Sequence, residues 1–465
     1  MKMKAGRRAL VMDDIGRRIT SRALVAGDKV PSIRSCAARL GISPSTVVEA
    51  YDLLVADGVI EARRGAGFFV ADKPQPFAVA ETGPQLEREV DPLWVARQSI
   101  DTGEEKQKPG CGWLPADWMP VSSLRKAMRS MSSARIDLLT NYGSAKGETG
   151  LRRFLSRRLH DQGLAADPDQ VLLTGSGSQA LDLVCRMLLK PGDTVLVDDP
   201  CYFNFQALLR AHQVAIKSVP YTALGPDLAK FEAALTEHRP RLYLTNSALH
   251  NPTGATMSAP TAHRLLTLAE IHDLVIVEDD IFSDFEPDVS PRLASLDGLE
   301  RVLRVGSFSK TLSASFRCGY ITARPDWIEA LTDLQVATNF SGPSPMVASL
   351  LYSVLTDGGY RKHLDALKTR LVACRGDAIK RLGELGFSPW IEPRGGFLLW
   401  CELPGQHDAT ELARAALQQG LVLAPGNVFS VTQTMGSFMR FNVSQMRDPG
   451  CYETLDRLLT GTLKT

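Results

Sequence analysis

Three stretches of this chain hold residue types that can do chemistry together. The apolar run Leu274-Val275-Ile276-Val277 ends in Glu278-Asp279-Asp280, and three carboxylates at the end of a buried strand are costly unless cations meet them. A helix N-cap or a solvated loop accounts for one or two of the three. A pyridinium nitrogen accounts for a semi-buried Asp279, whose negative charge would keep that nitrogen protonated and the ring electron-withdrawing. A second run, Val302-Leu303-Arg304-Val305, leads into Gly306-Ser307-Phe308-Ser309-Lys310-Thr311, with Arg317 seven residues beyond the lysine. A lysine amine condenses with aldehydes, and an arginine with two serine hydroxyls holds a phosphate. The third stretch, Gly175-Ser176-Gly177-Ser178-Gln179, joins a strand to the helix Ala180-Leu181-Asp182-Leu183-Val184. Backbone N–H groups at a helix N-terminus form an anion site, and glycine allows close approach. Each piece has an ordinary reading alone, since one lysine is usually a surface charge and tight turns need glycine. Taken in chain order, the glycine turn, the carboxylates, the lysine and the arginine together are more than surface charge and tight turns, and their chemistry suits a phosphate, an aldehyde and a ring nitrogen.

The elements that must position these residues alternate in type. Short apolar runs at Gln170–Leu173, Thr194–Val197, Arg241–Leu244, Leu274–Val277 and Val302–Val305 are separated by helical patterns, which predicts a largely parallel sheet covered on both faces. In such sheets ligands sit at the carboxyl ends of the strands, where all three stretches fall.

At 465 residues the chain exceeds one core, and about 100 to 200 residues per domain predicts two to four packing units. Hydrophobic residues make up 44% and charged residues 23%, and no apolar run approaches the roughly 18 residues of a membrane span. The basic N-terminus lacks an apolar core and cleavage site behind it, so a cytosolic protein with no membrane partner is expected. The eight cysteines form no C-x-x-C pair and have no histidine at metal-ligand spacing, so no metal is expected and most should be small buried hydrophobes. The net charge of +1 hides an asymmetry: residues 1 to 70 carry 12 Lys+Arg against 7 Asp+Glu, and the remainder is net negative. The basic end is where an anionic polymer would dock.

That end reads as helix-turn-helix plus wing. A first helix over about 8 to 26 places Ile15, Ile19 and Leu24 on one face. Pro31 opens a second, with Ile33, Cys36, Ala37 and Leu40 as its apolar stripe and Gly41 as its stop. A third begins near Pro44-Ser45-Thr46, buries Val47, Ala50, Tyr51 and Leu54, and ends at Asp57-Gly58. Strands Val59–Ala62 and Phe68–Val70 flank Arg63-Arg64-Gly65-Ala66-Gly67. A recognition helix shows its N-terminal residues to base edges while basic groups hold phosphates. The candidate DNA contacts are therefore Ser45 and Thr46 at the helix start, Arg34 and Arg64 for phosphate or groove, and Gly65 for close backbone approach; solvated arginines on a small three-helix unit are the plainer alternative. Residues 71–109, dense in proline, glycine and charge, read as a linker, within which Asp91-Pro92-Leu93-Trp94 can dock on a neighbouring surface.

The order Gly27-Asp28-x-x-Pro31-Ser32-x-Arg34 through Thr46-Val47-x-x-Ala50-Tyr51 to Gly58-x-Ile60 resembles the winged helix of GntR-type regulators, with Pro44 where many relatives are basic. From about Cys111 the chain resembles fold-type I pyridoxal-phosphate enzymes of the aminotransferase kind, in Asn141-Tyr142-Gly143, Asp199-Pro200-Cys201-Tyr202, His250-Asn251-Pro252-Thr253-Gly254, Glu278-Asp279-Asp280-Ile281-Phe282, Ser307-x-Ser309-Lys310 and Phe438-Met439-Arg440-Phe441. The resemblance implies pyridoxal 5'-phosphate as cofactor, with Lys310 carrying the internal aldimine and Asp279 pairing with the ring nitrogen. It further implies that Asn251 donates to the ring hydroxyl, Tyr202 stacks on the ring, and Gly177, Ser178, Gln179, Ser307, Ser309 and Arg317 hold the phosphate. Tyr142 would reach the phosphate of a partner subunit, implying a homodimer with shared sites, and Arg440 would clamp an amino-acid carboxylate. Phe282 departs from the tyrosine of many relatives and drops a donor to the ring oxygen, which puts full transaminase efficiency in doubt.

Both halves in one chain are similar to the MocR subfamily of GntR regulators. The expected architecture is multidomain: a winged helix-turn-helix (α+β) at 1–70, a linker at 71–109, and an α/β/α aminotransferase-like domain at 110–465. Within the last, a large subdomain spans about 145–340 and a small one about 110–140 and 345–465. The expected function is a DNA-binding transcriptional regulator sensing the cofactor, or an amino-acid or amine effector, through Lys310, with a double-stranded operator as partner. The alternative is a working aminotransferase carrying an accessory DNA-binding module; a purely architectural DNA-binding protein is a third reading.

Overall fold

The computed structural model describes residues 7–20, 24, 27–63, 65–71, 92–101, 103 and 106–461. The chain divides into two compact units, Met1–Gln85 and Leu86–Thr465.

In the first unit, helices Arg7–Thr20, Ile33–Leu40 and Pro44–Ala56 precede an antiparallel pair, Ile60–Arg63 with Gly67–Val70. Val11, Ile15, Cys36, Ala37, Val47, Ala50, Tyr51, Leu54, Ile60 and Val70 form its core. The second helix starts two residues later than the sequence suggests. Ser32 is its N-cap, accepting from the Ser35 N–H, so Pro31 lies outside the helix, while Gly41 closes it at φ 65°, a left-handed value that glycine adopts without penalty. Ser43 caps the third helix and Pro44 occupies its first turn, where the missing N–H costs nothing. The first helix is described only to Thr20, and the rest of its expected span to residue 26 lies mostly outside the described residues.

The second unit is built on an eight-stranded sheet in the order Val171–Thr174, Gly319–Thr322, Val302–Ser307, Val275–Asp279, Leu242–Thr245, Thr194–Asp199, Ala215–Thr222, Gly225–Pro226. The central pairings are parallel, as expected, but Gly319–Thr322 runs antiparallel between its two neighbours. A smaller antiparallel sheet joins Ser388–Pro389, Leu398–Glu402, Phe438–Asn442 and Ala424–Pro425. One hydrophobic cluster lies over each face of the large sheet and a third lies behind the small sheet. Helix Pro345–Thr356 buries Ala348, Leu351 and Val354 in the large-sheet cluster with Leu151 and Leu155. Leu367, Leu371 and Ala378 of the next helix, Gly359–Glu384, belong to the small-sheet cluster. The change of core thus falls inside that long helix, later than residue 345.

Part of the stretch read as linker is structured. Pro92–Asp101 is a helix, and its Trp94 and Val95 pack with Phe203, Trp400, Val428 and Phe429; residues 72–91 lie outside the described residues. Among the described residues no helix is long and apolar enough to cross a membrane, and no His/Cys/Asp/Glu cluster is arranged for a metal. All eight cysteines are free and seven are buried.

Candidate functional site

The three carboxylates at the end of Val275–Asp279 part company because side chains alternate across a strand. Glu278 accepts from the N–H groups of Leu293 (2.8 Å) and Ala294 (3.0 Å), capping the short helix Leu293–Asp297. Asp280 pairs with Arg292 (2.8 Å) and with Arg304, all three fully buried. Asp279 forms no ion pair among the described residues, accepts a long bond from the Ile281 N–H (3.4 Å), and is 3% exposed. Burial pushes its carboxyl up to about 7, against the pull of that N–H, of the Asn246 amide and of Lys310, with the Asp280 charge adding to the rise. A buried carboxylate kept so far above its ordinary range lacks the cation that would stabilise its charge.

Beside it, Ser176 caps helix Gly177–Leu188, accepting from the Gln179 N–H at 3.0 Å. A Cβ placed on Gly177 would lie 3.6 Å from the Ser307 Cβ, so the helix N-terminus and the end of Val302–Ser307 face one another across space that a side chain would fill. Gly319 makes this approach possible: a Cβ there would sit 2.5 Å from the Gly177 nitrogen. Ser307 and Ser309 hydroxyls are 3.0 Å apart. Ser178 is exposed in the first turn, and Arg317 is exposed and holds φ 45°, a left-handed backbone uncommon for a residue with a Cβ and frequent at ligand clamps. Gln179 uses its side-chain carbonyl to accept from the Gly175 N–H at 2.5 Å and its own N–H in the cap, and neither bond spends the side-chain NH2 that would meet a phosphate. It braces the turn.

The Lys310 amine donates to the Gly112 carbonyl at 2.6 Å. Burial, with Arg440 and Arg317 adding repulsion, brings it down to about 8 despite the opposing Cys111 and Asp279, so near neutral pH far more of it is in the nucleophilic free-base form than for an ordinary lysine. Arg440 lies mid-strand in the small sheet, opposite Trp400 and Ala424, and is 1% exposed. Its guanidinium donates to the Asn251 side-chain carbonyl (2.9 Å) and the Gly110 carbonyl (2.6 Å) and lies over the Phe429 ring, while its Nε has no hydrogen-bond partner. Burial lowers it to about 10, so it stays charged at neutral pH. Tyr202, at the start of helix Phe203–Ala211, has its phenol pushed up to about 12 by burial, with Arg440 lowering and Asp279 raising it. Phe282 is packed against Phe397 and Phe285. Tyr142 stands apart, 69% exposed and against only the equally exposed Phe340 ring.

In the first unit, Ser45 and Thr46 hydroxyls both bond to the Ser43 hydroxyl (3.0 and 2.8 Å) at the exposed start of the third helix. Arg34 is exposed and forms no ion pair among the described residues, whereas Arg39 is held bidentately by Asp14 (2.9 and 2.5 Å). Gly65 adopts φ 75° at the wing tip; Arg64 lies outside the described residues. Val48, exposed on the same helix, is an apolar group of the kind that meets a thymine methyl.

The structure therefore brings Asp279, Lys310, Asn251, Tyr202 and Arg440 into one neighbourhood, with Gly177 and Ser307 facing each other beside it. The sequence reading missed the segment Gly110–Trp113, whose carbonyls hold Lys310 and Arg440, and Asn442, which donates to the Cys111 (3.0 Å) and Trp113 (2.7 Å) carbonyls. It also missed Asn246, which fixes the Asp279 backbone carbonyl at 2.7 Å. Backbone carbonyls carry no sequence signal; the glycines at 110 and 112 were the available hint.

The family model for aminotransferase class I and II matches residues 115–458, and that for bacterial regulatory proteins of the gntR family matches residues 8–70. The uncharacterized HTH-type transcriptional regulator YdcR of Escherichia coli is 30% identical over 90% of this chain and 91% of its own length. The HTH-type transcriptional regulator NorG of Staphylococcus aureus is 25% identical over 86% of this chain and 92% of its own. Among solved structures, the α-aminoadipate aminotransferase LysN of Thermus thermophilus, complexed with N-(5'-phosphopyridoxyl)-L-leucine, superposes with a TM-score of 0.72 at 25% identity, covering 79% of this chain and 94% of that one.

Proposed function

We propose, from the premise that the chain belongs to the aminotransferase class I and II family with a gntR-family domain ahead of it, the MocR arrangement, that it is a transcriptional regulator whose aminotransferase-like domain senses a ligand. Its cofactor is pyridoxal 5'-phosphate. The residues present fit that group: Asp279 is a buried carboxylate awaiting a cation, Gly177 and Ser307 face one another at a helix N-terminus, and Lys310 offers an amine that is uncharged far more often than an ordinary lysine's. The observation that carries this reading is the isolation of Asp279, alone of three adjacent carboxylates, beside Lys310.

When bound, the cofactor supplies an aldehyde that condenses with primary amines. The protein's part is to hold and orient. Ser307, Ser309, Arg317, Ser178 and the Gly177 N–H would hold the phosphate; Asp279 would hold a proton on the ring nitrogen; Asn251 and Tyr202 would set the ring's plane. Arg440, with its Nε free and its charge desolvated, would orient a carboxylate, which selects amino acids over simple amines. Arg34, Ser45, Thr46, Arg64 and Gly65 would contact a double-stranded operator.

Relatives along nearly the whole chain are named transcriptional regulators, which favours the regulator over an aminotransferase with an accessory module. We further propose a cytoplasmic homodimer, in which Tyr142, Phe340 and Ile136, all exposed, are covered and Tyr142 completes the partner's phosphate site. The deciding experiment is operator binding on the gene's own upstream DNA with and without cofactor and a panel of amino acids. Specific binding altered by an amino acid supports the regulator; steady turnover with an oxo-acid and no specific binding supports the enzyme.

A further inference from the structure

The segment Gln107–Trp113 is hydrogen-bonded on two sides to different things. On its outer side, its backbone pairs with Gly420–Val422, through the Gln107 N–H to the Gly420 carbonyl (3.0 Å) and the Gly110 N–H to the Val422 carbonyl (2.8 Å), and the Gln107 side chain donates to Asp448 at 2.5 Å. On its inner side, two of its carbonyls occupy the two groups that a ligand needs: Gly112 accepts from Lys310 and Gly110 from Arg440. Gly112 lies against both groups, since a Cβ there would be 3.9 Å from the Lys310 Nζ and from an Arg440 Nη. The connector helix Pro92–Asp101, a few residues upstream, packs through Trp94 into the cluster of Phe203 and Phe429, the two rings over which the Arg440 guanidinium lies at 5.8 and 4.8 Å.

Resting on the sensor reading above, we propose that Gln107–Trp113 is a strap that reports ligand binding to the connector: its Gly110 and Gly112 carbonyls hold Arg440 and Lys310 and are displaced when a carboxylate and an aldehyde take those groups. The physical reason is competition for donors. Lys310 engaged by an aldehyde no longer offers an ammonium to Gly112, and a carboxylate makes charge-assisted, bidentate bonds that a neutral carbonyl cannot match on the same guanidinium. A buried carbonyl stripped of its donor does not stay where it is, so the strap moves on its outer hydrogen bonds, and it lies directly downstream of the helix that follows the DNA-binding module in the chain.

The test is hydrogen exchange of the 106–114 backbone in the full chain, cofactor-free, loaded with pyridoxal 5'-phosphate, and loaded with cofactor plus 2-methylalanine, an amino acid with no α-hydrogen to lose; operator affinity and cofactor absorbance are followed in parallel. Exchange there should rise about tenfold or more on loading and further with the amino acid, while the 171–199 strands stay protected. Gln107→Ala removes the Asp448 anchor away from the site. It should raise strap exchange without ligand and move operator affinity in the direction the ligand moves it, with cofactor absorbance unchanged. If ligand changes operator affinity while strap exchange stays constant, or if strap exchange changes and operator affinity does not, the strap is overturned and the sensor reading is judged on its own assay. If the cofactor does not bind, the sensor reading falls and takes the strap with it.

Discussion

Replacing Asp279 by Asn should stabilise the cofactor-free protein and weaken its hold on the cofactor. Asp279 is 3% exposed and its carboxyl rises from 3.8 to about 7. Because the folded-state value lies above the unfolded one, the folded protein keeps a proton that the unfolded chain gives up. The stabilisation is therefore complete below about pH 4 and is lost as pH rises through about 7. At about 1.4 kcal/mol per pH unit, three units correspond to about 4 kcal/mol of burial penalty at pH 8. Asn is nearly isosteric with the protonated acid and keeps the acceptor for the Ile281 N–H, so it should recover most of that amount. The assay is urea denaturation of cofactor-free protein at pH 5 and pH 8. Wild type should lose stability between the two by more than Asp279→Asn does, and the variant should be the more stable at pH 8. With saturating cofactor the order should invert, since the variant cannot neutralise a ring cation. A cofactor-free variant that is equal to or weaker than wild type at pH 8 would refute the claim that this carboxylate stands buried without a partner.

Arg34→Ala should weaken operator binding across sequences and reduce the slope of log K against log salt by about one phosphate's worth, about 0.9, read by fluorescence anisotropy over a salt series. Lys310→Ala should abolish covalent retention of the cofactor after borohydride reduction, and in wild type the rate of incorporation should climb as pH rises through about 8, since only the free amine attacks; a rate still climbing tenfold per unit at pH 10 would mean an ordinary lysine. Arg440→Ala leaves the buried Asn251 and Gly110 carbonyls without a donor, costing about 1 to 3 kcal/mol each, and should erase the spectral response to amino acids more than to amines lacking a carboxylate. Tyr142→Ala should lower phosphate affinity in a dimer and leave it untouched in a monomer, with light scattering giving the mass.

The sequence by itself determined the order of the modules and the chemistry of the second. Periodicity placed the strands, and a strand's carboxyl end is where a ligand sits, so Lys310, Asp279 and the glycine turn stood out as candidates from local pattern, while their individual roles came with the family resemblance. Helix caps were equally local: Gly41, Ser43 and Pro44 act within one turn of where they stand. Contacts over long stretches of chain were not readable. Nothing near Glu278 or Asp280 in sequence says that one caps a helix 15 residues on and the other meets Arg304 from the adjacent strand, and only that assignment isolates Asp279. Arg440 meets Gly110 and Asn251 across separations of 330 and 189 residues, through backbone and amide oxygens that any residue or many residues could supply. The antiparallel Gly319–Thr322 strand, which seats Gly177 against Ser307, is likewise decided by sheet order. Local physics writes itself into neighbouring residue types, whereas the partners of a buried polar group are chosen by the packing of the whole domain.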